Sequence, residues 1–591
     1  MPAPRPPASF APVHYRVEPA DLHAHLFAVT LTVAAPAPRQ EVSLPVWIPG
    51  SYLVREFSKN LQSLRATQGG RPVALAQLDK HRWQAQCKKG QPLVLTYEVA
   101  AYDTSVRTAW LDASRGFFNG TSLCLRVHGQ EDGPHALELV RTPATSGWSA
   151  ATGLTPAKAT RTGFGTYLAA DYDELVDCPV EMGTFWSARF TAAGVPHRVV
   201  VSGAAPSFDG ERLVADMRRI CEHQIRFWHG SGKAPHASYV FMLNVVDDGY
   251  GGLEHRNSTA LICGRRDLPR VGEARAPEGY TTLLGLVSHE YFHTWNVKRL
   301  RPSEFARYDY GQENYTQLLW FFEGFTSYYD DLLLRRCGLL DNTAYLRLLT
   351  KAIHQVLQAP GRHVQSVAQA SFDAWVKYYR QDENTANATV NYYTKGSLVA
   401  LCLDLALRRE GRTSLDEVMR GLWQRCAGGP MTEADLLQTL KSLSGRDWSR
   451  EIAQWVHGTD DLPLAELLLA HGVTLQEEAP QWAQRLGLRV SEPQGLQVKV
   501  VLRGGLAEQA GFMAGDEWLA VETEGGTWRM TKMDDLPLYA GPAAEVTAWI
   551  SRDRRVFRLP LRLQPAPGRL GDTVRLTVSD PAQAERWLAT R

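Results

Sequence analysis

Residues 281–297, TTLLGLVSHEYFHTWNV, contain the motif His289-Glu290-Tyr291-Phe292-His293. Leucine, valine and aromatic residues occur on almost every side of this segment, which predicts a buried helix. Side chains four positions apart lie on one face of a helix, with Cβ atoms about 5–6 Å apart. The segment therefore predicts two imidazoles and a carboxylate on a helix that packs inside the protein.

The motif is typical of a zinc site. His289 and His293 can bind one ion, and Glu290 can take a proton from a water that the ion holds. Buried histidine and glutamate side chains need polar partners, and a shared metal supplies them. The alternative is an ordinary helix with two surface histidines, because a motif this short also arises by chance.

A catalytic zinc needs a third protein ligand. The next apolar stretch, LLWFFEGFTSYY, contains Glu323 thirty positions after His293. A carboxylate in such a stretch is costly unless it is paired, so Glu323 is the predicted ligand. The alternatives are a salt bridge from Glu323 to an arginine of VKRLRP (297–302), or a ligand from a more polar environment, namely Glu313, Asp330 or Asp331.

The rest of the chain predicts several domains, as expected for 591 residues. Up to about residue 190, apolar and polar residues alternate between breaks rich in Pro, Gly and Asp, which is typical of strands. An amphipathic helix is predicted over 211–228, and two strands, 237–246 and 258–264, flank the segment DDGYGGLEHRN. Residues 280–456 are predicted to be mostly helical, and strands return after about residue 475.

Composition limits the classes of partner. Lys plus Arg number 64 and Asp plus Glu 63, so no global charge favours nucleic acid or a membrane surface. The eight cysteines form no CxxC pair and predict free thiols in a reducing compartment. No apolar run reaches the roughly 18 residues of a membrane span, and the N-terminal segment lacks the apolar core of a signal peptide. A cytoplasmic protein without a membrane span is therefore expected.

Several motifs resemble those of known zinc peptidases. HEYFHTW followed by LWFFEGF is similar to the gluzincin pattern of HExxH and a downstream glutamate. GGLEHRN (251–257) resembles the GxMEN motif of M1 aminopeptidases, although His255 stands in place of the asparagine, and YYTKG (392–396) resembles their YxKG. PVWIPGSYLVREFS (45–58), HEYFHTWNVKRLRP and a C-terminal PDZ-like segment are most similar to the M61 glycyl aminopeptidase family.

This resemblance implies a multidomain α+β chain. The implied domains are an N-terminal β-sandwich or saddle domain at 1–185, a thermolysin-like α/β catalytic domain at 186–338, an α-helical domain at 339–474 and a C-terminal PDZ-like β domain at 475–591. A PDZ domain adds a peptide to a sheet edge and captures its C-terminal carboxylate. A peptide C-terminus is therefore one expected ligand of the last domain, and a purely structural role is the alternative.

The resemblance also implies a zinc aminopeptidase that releases N-terminal Gly and Ala from peptides with a free N-terminus. One Zn²⁺ per chain would be bound by His289, His293 and Glu323. Glu290 would be the general acid/base.

The remaining implied roles concern the substrate. Glu254 would bind its α-ammonium group, and Gly251 and Gly252 would leave space for its backbone. Tyr393 would donate a hydrogen bond to the transition-state oxyanion, with the adjacent Tyr392 as the alternative donor.

Two other functions remain as alternatives. A zinc endopeptidase would use the same metal ligands but would have no need of Glu254. A catalytically idle PDZ-containing interaction protein is disfavoured, because the base, the three ligands and the oxyanion donor are all present.

Overall fold

The computed structural model describes residues 11–564 and 573–589, which belong to two compact units. Unit 1 comprises Met1–Asn314 with Cys426–Met431, and unit 2 comprises Tyr315–Arg425 with Thr432–Arg591. Residues 1–10 lie outside the described residues. They make up most of the N-terminal segment in which no signal peptide is expected.

The first part of unit 1 consists mainly of strands, as the alternating pattern predicts. Buried and half-buried residues alternate along Val13–Asp21, Leu26–Val33 and Leu93–Ala100. One sheet of eight strands and two sheets of four strands share a hydrophobic core. Two short helices, α1 (Gly120–Leu123) and α2 (Tyr172–Val176), lie between strands.

The strands of this part are β1 (Val13–Asp21), β2 (Leu26–Val33), β3 (Arg39–Ser43), β4 (Leu61–Gln68), β5 (Arg71–Val73), β6 (Leu75–Gln77), β7 (Arg82–Gln86), β8 (Leu93–Ala100), β9 (Ala109–Leu111), β10 (Arg115–Phe118), β11 (Arg126–Val127), β12 (His135–Leu139), β13 (Ser149–Thr152), β14 (Thr155–Ala159), β15 (Gly165–Ala169) and β16 (Val180–Gly183).

The second part of unit 1 is a five-stranded sheet with two long helices. Its strands are β17 (Trp186–Ala192), β18 (Val195–Ser202), β19 (Tyr239–Val246), β20 (Gly251–Glu254) and β21 (Ser258–Gly264), and its helices are α3 (Gly210–His229) and α4 (Glu278–Phe292). The order is β17-β18-β19-β21-β20, so β20 lies at the edge, antiparallel to β21. Helix α4 packs on β20, β21 and α3. A short pair, β22 (Arg301–Pro302) and β23 (Pro430–Met431), completes the unit.

Unit 2 begins with helices, as predicted. They are α5 (Leu319–Arg336), α6 (Asn342–Leu357), α7 (Val367–Phe372), α8 (Thr385–Ala388), α9 (Tyr392–Glu410), α10 (Leu415–Arg425), α11 (Glu433–Ser444), α12 (Ser449–Ile452) and α13 (Leu464–Leu469). Helices α5 and α9 are buried on most sides and pack closely at Gly324 and Gly396. A Cβ on Gly324 would lie 2.5 Å from the backbone of Gly396, so only glycine permits this approach.

Unit 2 ends in a sheet with its own hydrophobic core. Its main strands run in the order β25-β26-β27-β29-β30, β28 pairs with β27, and a separate pair joins β24 to β31. The elements are β24 (Val473–Glu477), α14 (Trp482–Leu486), β25 (Leu488–Ser491), β26 (Gln497–Val501), α15 (Leu506–Ala510), β27 (Glu517–Thr523), β28 (Gly526–Arg529), α16 (Asp535–Ala540), β29 (Glu545–Arg552), β30 (Arg555–Arg562), β31 (Val574–Val578) and α17 (Pro581–Leu588).

The mixed multidomain character expected from the sequence is confirmed. The four-domain division and the PDZ assignment of residues 475–591 stay predictions.

All eight cysteines are free, as predicted. Within the described residues, none of the helices has both the length and the apolar composition needed to cross a membrane.

The glycine contact between α5 and α9 predicts that unit 2 is sensitive to a single methyl group. A Cβ on Gly396 would lie 2.4 Å from the Trp320 carbonyl oxygen. This oxygen belongs to the backbone of a packed helix, which cannot move aside as easily as the end of a flexible side chain can. We expect Gly396→Ala to cost about 1–3 kcal/mol, as overpacking usually does. The melting temperature should then fall by roughly 2–10 °C.

Gly421→Ala is the matched control within a helix. Its Cβ would meet only two side-chain methyl groups, of Thr439 and Leu443, at 3.0 and 3.3 Å. If the two variants melt at the same temperature as the unmodified protein, the α5–α9 contact does not constrain the fold.

Candidate active site

Helix α4 places His289 and Glu290 in its last turn and ends at Phe292, so that His293 follows directly. The His293 N–H still donates to the His289 carbonyl, at 3.2 Å, which keeps both side chains on one side of the helix axis. Their Nε2 atoms lie 3.1 Å apart, with the rings nearly perpendicular at 86°. The two imidazoles therefore converge on one point.

A backbone carbonyl fixes the tautomer of His293. Nδ1 of its ring lies 2.8 Å from the Asn296 carbonyl oxygen, which can only accept a hydrogen bond. Nδ1 therefore carries the proton, and Nε2 directs its lone pair toward His289. Metal-bound histidines usually make this bond, because it orients the ring. The donor set thus fits a transition metal such as zinc.

Two buried carboxylates face the same space. Glu254 at the end of β20 is 4% exposed and Glu290 is 5% exposed. Ligand atoms of Glu254, Glu290 and His293 all lie within 4.8 Å of one another. Two anions this close repel each other strongly when little water separates them. The arrangement therefore favours a bound cation.

Two glycines make room for these carboxylates. A Cβ on Gly252 would lie 2.1 Å from Glu290 Oε1, and a Cβ on Gly50 would lie 2.5 Å from Glu254 Oε1. The space beside Gly252 thus holds the Glu290 carboxylate. Gly251 has more room, and the Arg107 guanidinium nearby donates to the Gly252 carbonyl at 3.4 Å.

A buried ion-pair cluster supports the segment after Glu254. The Lys298 ammonium lies 2.7 Å from Asp177, which also contacts the His255 ring at 3.1 Å. Burial opposes the charge of Asp177, but Lys298 and then His255 outweigh it and hold the pKa of Asp177 well below its ordinary value. His255, at the position of the asparagine in GxMEN, is therefore anchored by a carboxylate.

In unit 2, the packed helices α5 and α9 carry Glu323 and Tyr393. Burial, and next the charge of Glu323, raise the pKa of Tyr393 well above its ordinary value. Glu323 is 2% exposed. The Tyr379 hydroxyl lies 3.3 Å from that of Tyr393. Tyr392 is fully buried, whereas the Tyr393 side chain is half-buried.

Each of the two units contains predicted site residues. Unit 1 brings together His289, His293, Glu290 and Glu254 with the glycines of β20, and unit 2 brings together Glu323 and Tyr393.

The sequence reasoning missed Gly50, Arg107 and Tyr379. For Gly50 the Pro49-Gly50 pair was a usable turn signal. Nothing local marks the other two.

Comparisons with known proteins agree with the expected resemblance. Residues 14–184 match the Peptidase M61 N-terminal domain, and residues 282–399 match the M61 glycyl aminopeptidase domain. A crystal structure of an aminopeptidase N family protein from Idiomarina loihiensis is 38% identical, with 98% of this chain and 100% of that chain covered and a TM-score of 0.92. An M1 zinc metallopeptidase from Deinococcus radiodurans is 16% identical, with 77% and 96% covered and a TM-score of 0.47. No curated protein matched.

The 38% identical relative covers 98% of this chain, and this chain matches the two M61 domains in order. These matches support a peptidase. The chain belongs to the M61 glycyl aminopeptidase family.

Proposed function

We propose that the chain is a zinc-dependent aminopeptidase that hydrolyses N-terminal residues, preferably Gly and Ala, from peptides. The convergence of the His289 and His293 Nε2 atoms, 3.1 Å apart, is the observation that carries this proposal. His289, His293 and Glu323 would hold one Zn²⁺ per chain. When bound, zinc lowers the pKa of a water ligand to about 7 and polarises a carbonyl.

Glu290 is the proposed general acid/base. Its carboxylate accepts a proton from the attacking water and returns it to the leaving amine. Gly252 supports this role, because its missing Cβ leaves the space that the Glu290 carboxylate occupies.

Glu254 is the proposed ligand of the substrate's α-ammonium group. Its Oε1 atom is buried and accepts no hydrogen bond from the described residues. A buried acceptor of this kind needs a donor, and an ammonium group supplies one. This ion pair would fix the distance between the substrate's N-terminus and the carbonyl group that is cleaved. A fixed distance of this kind favours an aminopeptidase over an endopeptidase. The backbone of Gly251 and Gly252, on an edge strand, is the proposed contact for the substrate backbone.

Tyr393 is the proposed oxyanion donor. A neutral phenol gives a hydrogen bond that strengthens as negative charge develops on the carbonyl oxygen. The raised pKa of Tyr393 keeps the proton on its hydroxyl.

For the C-terminal sheet of unit 2 we propose a peptide C-terminus as ligand. Strand β25 lies at the edge of this sheet among the described strands, and peptides add to such edges.

Metal binding is tested by comparing Glu323→Ala with Glu290→Gln. We expect Glu323→Ala to lose most of its zinc, because a ligand is removed. Glu290→Gln should keep one zinc per chain and lose about 10²–10⁴-fold in kcat, because only the proton acceptor is gone. Elemental analysis after dialysis measures the zinc, with Asp331→Ala as the control on the same helix. Full zinc retention by Glu323→Ala would rule it out as the third ligand.

The proposed role of Tyr393 as oxyanion donor is tested by Tyr393→Phe, and Tyr392→Phe is the matched control variant. We expect Tyr393→Phe to lower kcat by about 10²–10³-fold with little change in KM, because the bond forms in the transition state. Steady-state kinetics on a glycyl reporter measure both constants. The reverse pattern, with the loss in Tyr392→Phe, would assign the role to Tyr392.

The aminopeptidase assignment is tested with matched free and N-acetylated reporters. We expect the acetylated form to be cleaved far more slowly, because it carries no charge for Glu254. Glu254→Gln should lower kcat/KM for the free form by about 10–100-fold, the value of a charged hydrogen bond, with unchanged zinc content. Rapid cleavage of blocked peptides, unaffected by Glu254→Gln, would indicate an endopeptidase instead.

A further inference from the structure

The segment PVWIPGSYLVREFS (45–58) has no role in the function proposed above. Its centre is a tight turn, in which the Ser51 N–H donates to the Ile48 carbonyl at 3.0 Å. Pro49 and Gly50 occupy the two central positions, and Gly50 has a φ of +93°. Proline followed by a residue with positive φ is typical of a type II turn, which requires glycine at that second position.

Bonds on both sides hold this turn in place. The Val46 N–H donates to the Tyr310 carbonyl at 2.8 Å, and the Arg55 N–H donates to the Val46 carbonyl at 2.7 Å. The indole of the fully buried Trp47 donates to the Asp309 carbonyl at 2.7 Å. The Arg55 guanidinium donates to the Ser51 hydroxyl at 2.6 Å. The turn is therefore a fixed part of unit 1.

Gly50 lies directly against the Glu254 carboxylate. A Cβ built on Gly50 would lie 2.5 Å from Oε1, 2.6 Å from Oε2 and 2.7 Å from Cδ of Glu254. Real Cβ atoms essentially never approach another atom this closely. The carboxylate thus occupies the place where any other residue at position 50 would have its side chain.

No hydrogen bond to Oε1 explains the position of this carboxylate. Glu254 Oε1 is buried and accepts none from the residues that the structure describes. Burial opposes the charge of Lys298, but Asp177, and after it Tyr308 and Glu254, raise the pKa of this ammonium group. The close contact is with the main chain of the turn.

We infer that Gly50 is a positioning residue for Glu254, so that the Pro49-Gly50 turn sets where the substrate's α-ammonium group binds. This inference rests on the proposed role of Glu254. A side chain at position 50 would push the carboxylate away from the turn and into the space for the ammonium group. The scissile carbonyl would then be misplaced, and misplacement by about 1 Å can cost as much as 10²-fold in rate.

The test is Gly50→Ala, with Gly129→Ala as the control for backbone strain. Gly129 has a similar φ of +82°, but a Cβ there would meet nothing within 4 Å. We expect Gly50→Ala to lower kcat/KM on a free glycyl reporter by about 10–100-fold. It should keep its zinc, and Gly129→Ala should resemble the unmodified protein.

A double-mutant cycle shows whether Gly50 acts through Glu254. In the Glu254→Gln background, Gly50→Ala should cause little further loss, because contacting residues that share one function are not additive. Glu254→Asp should partly rescue Gly50→Ala, in activity or in melting temperature, because the shorter side chain withdraws from the added methyl group.

The outcomes separate this inference from the proposed function. If Glu254→Gln is fully active, the proposed amine site is wrong, and the inference fails with it. If Glu254→Gln is impaired but Gly50→Ala is not, only the inference fails. Equal losses from Gly50→Ala in both backgrounds, or a loss of folding that Glu254→Asp does not relieve, would also overturn it.

Discussion

Two carboxylates and an imidazole share a buried space in unit 1, and much of the surrounding structure follows from that constraint. Glu254, Glu290 and His293 place ligand atoms within 4.8 Å of one another, and each side chain is at most 5% exposed. Buried like charges are costly unless a cation compensates them. A metal or an ammonium group bound at this place would compensate the two carboxylates.

Glycines, which have no side chain, are as important to the packing of this protein as the side chains that they contact. Gly252 leaves the space for Glu290, Gly50 leaves the space for Glu254, and Gly324 with Gly396 allows two helices of unit 2 to touch. In each case a Cβ would come within 3.0 Å of another atom. At Gly50 and Gly252 the absence of a side chain therefore sets the positions of two charged groups.

Each polar side chain with a proposed role depends on a different structural element. The two histidines depend on helix spacing and on one carbonyl, that of Asn296. Glu254 depends on an edge strand and on a turn some 200 residues earlier in the chain. Tyr393 depends on the first turn of α9, which Asn391 caps by accepting the Tyr393 N–H at 2.9 Å.

The sequence by itself determined what depends on local spacing. The alternating strands of the N-terminal region, the long helices from α3 to α11 and the paired imidazoles of HExxH all follow from neighbours within a few positions. The resemblance to M61 enzymes also rests on short local motifs. For the same reason, strands such as β28, β30 and β31 were not foreseen, because their patterns are weak.

Only the tertiary structure decided which distant groups meet. The contact of Gly50 with Glu254 and the Asp177–Lys298 ion pair both join residues far apart in the chain. No periodicity links such residues, because their approach depends on how sheets and helices pack. The tertiary structure also shows that α4 ends at Phe292 and that the His293 ring, just beyond the helix, donates from Nδ1 to the Asn296 carbonyl.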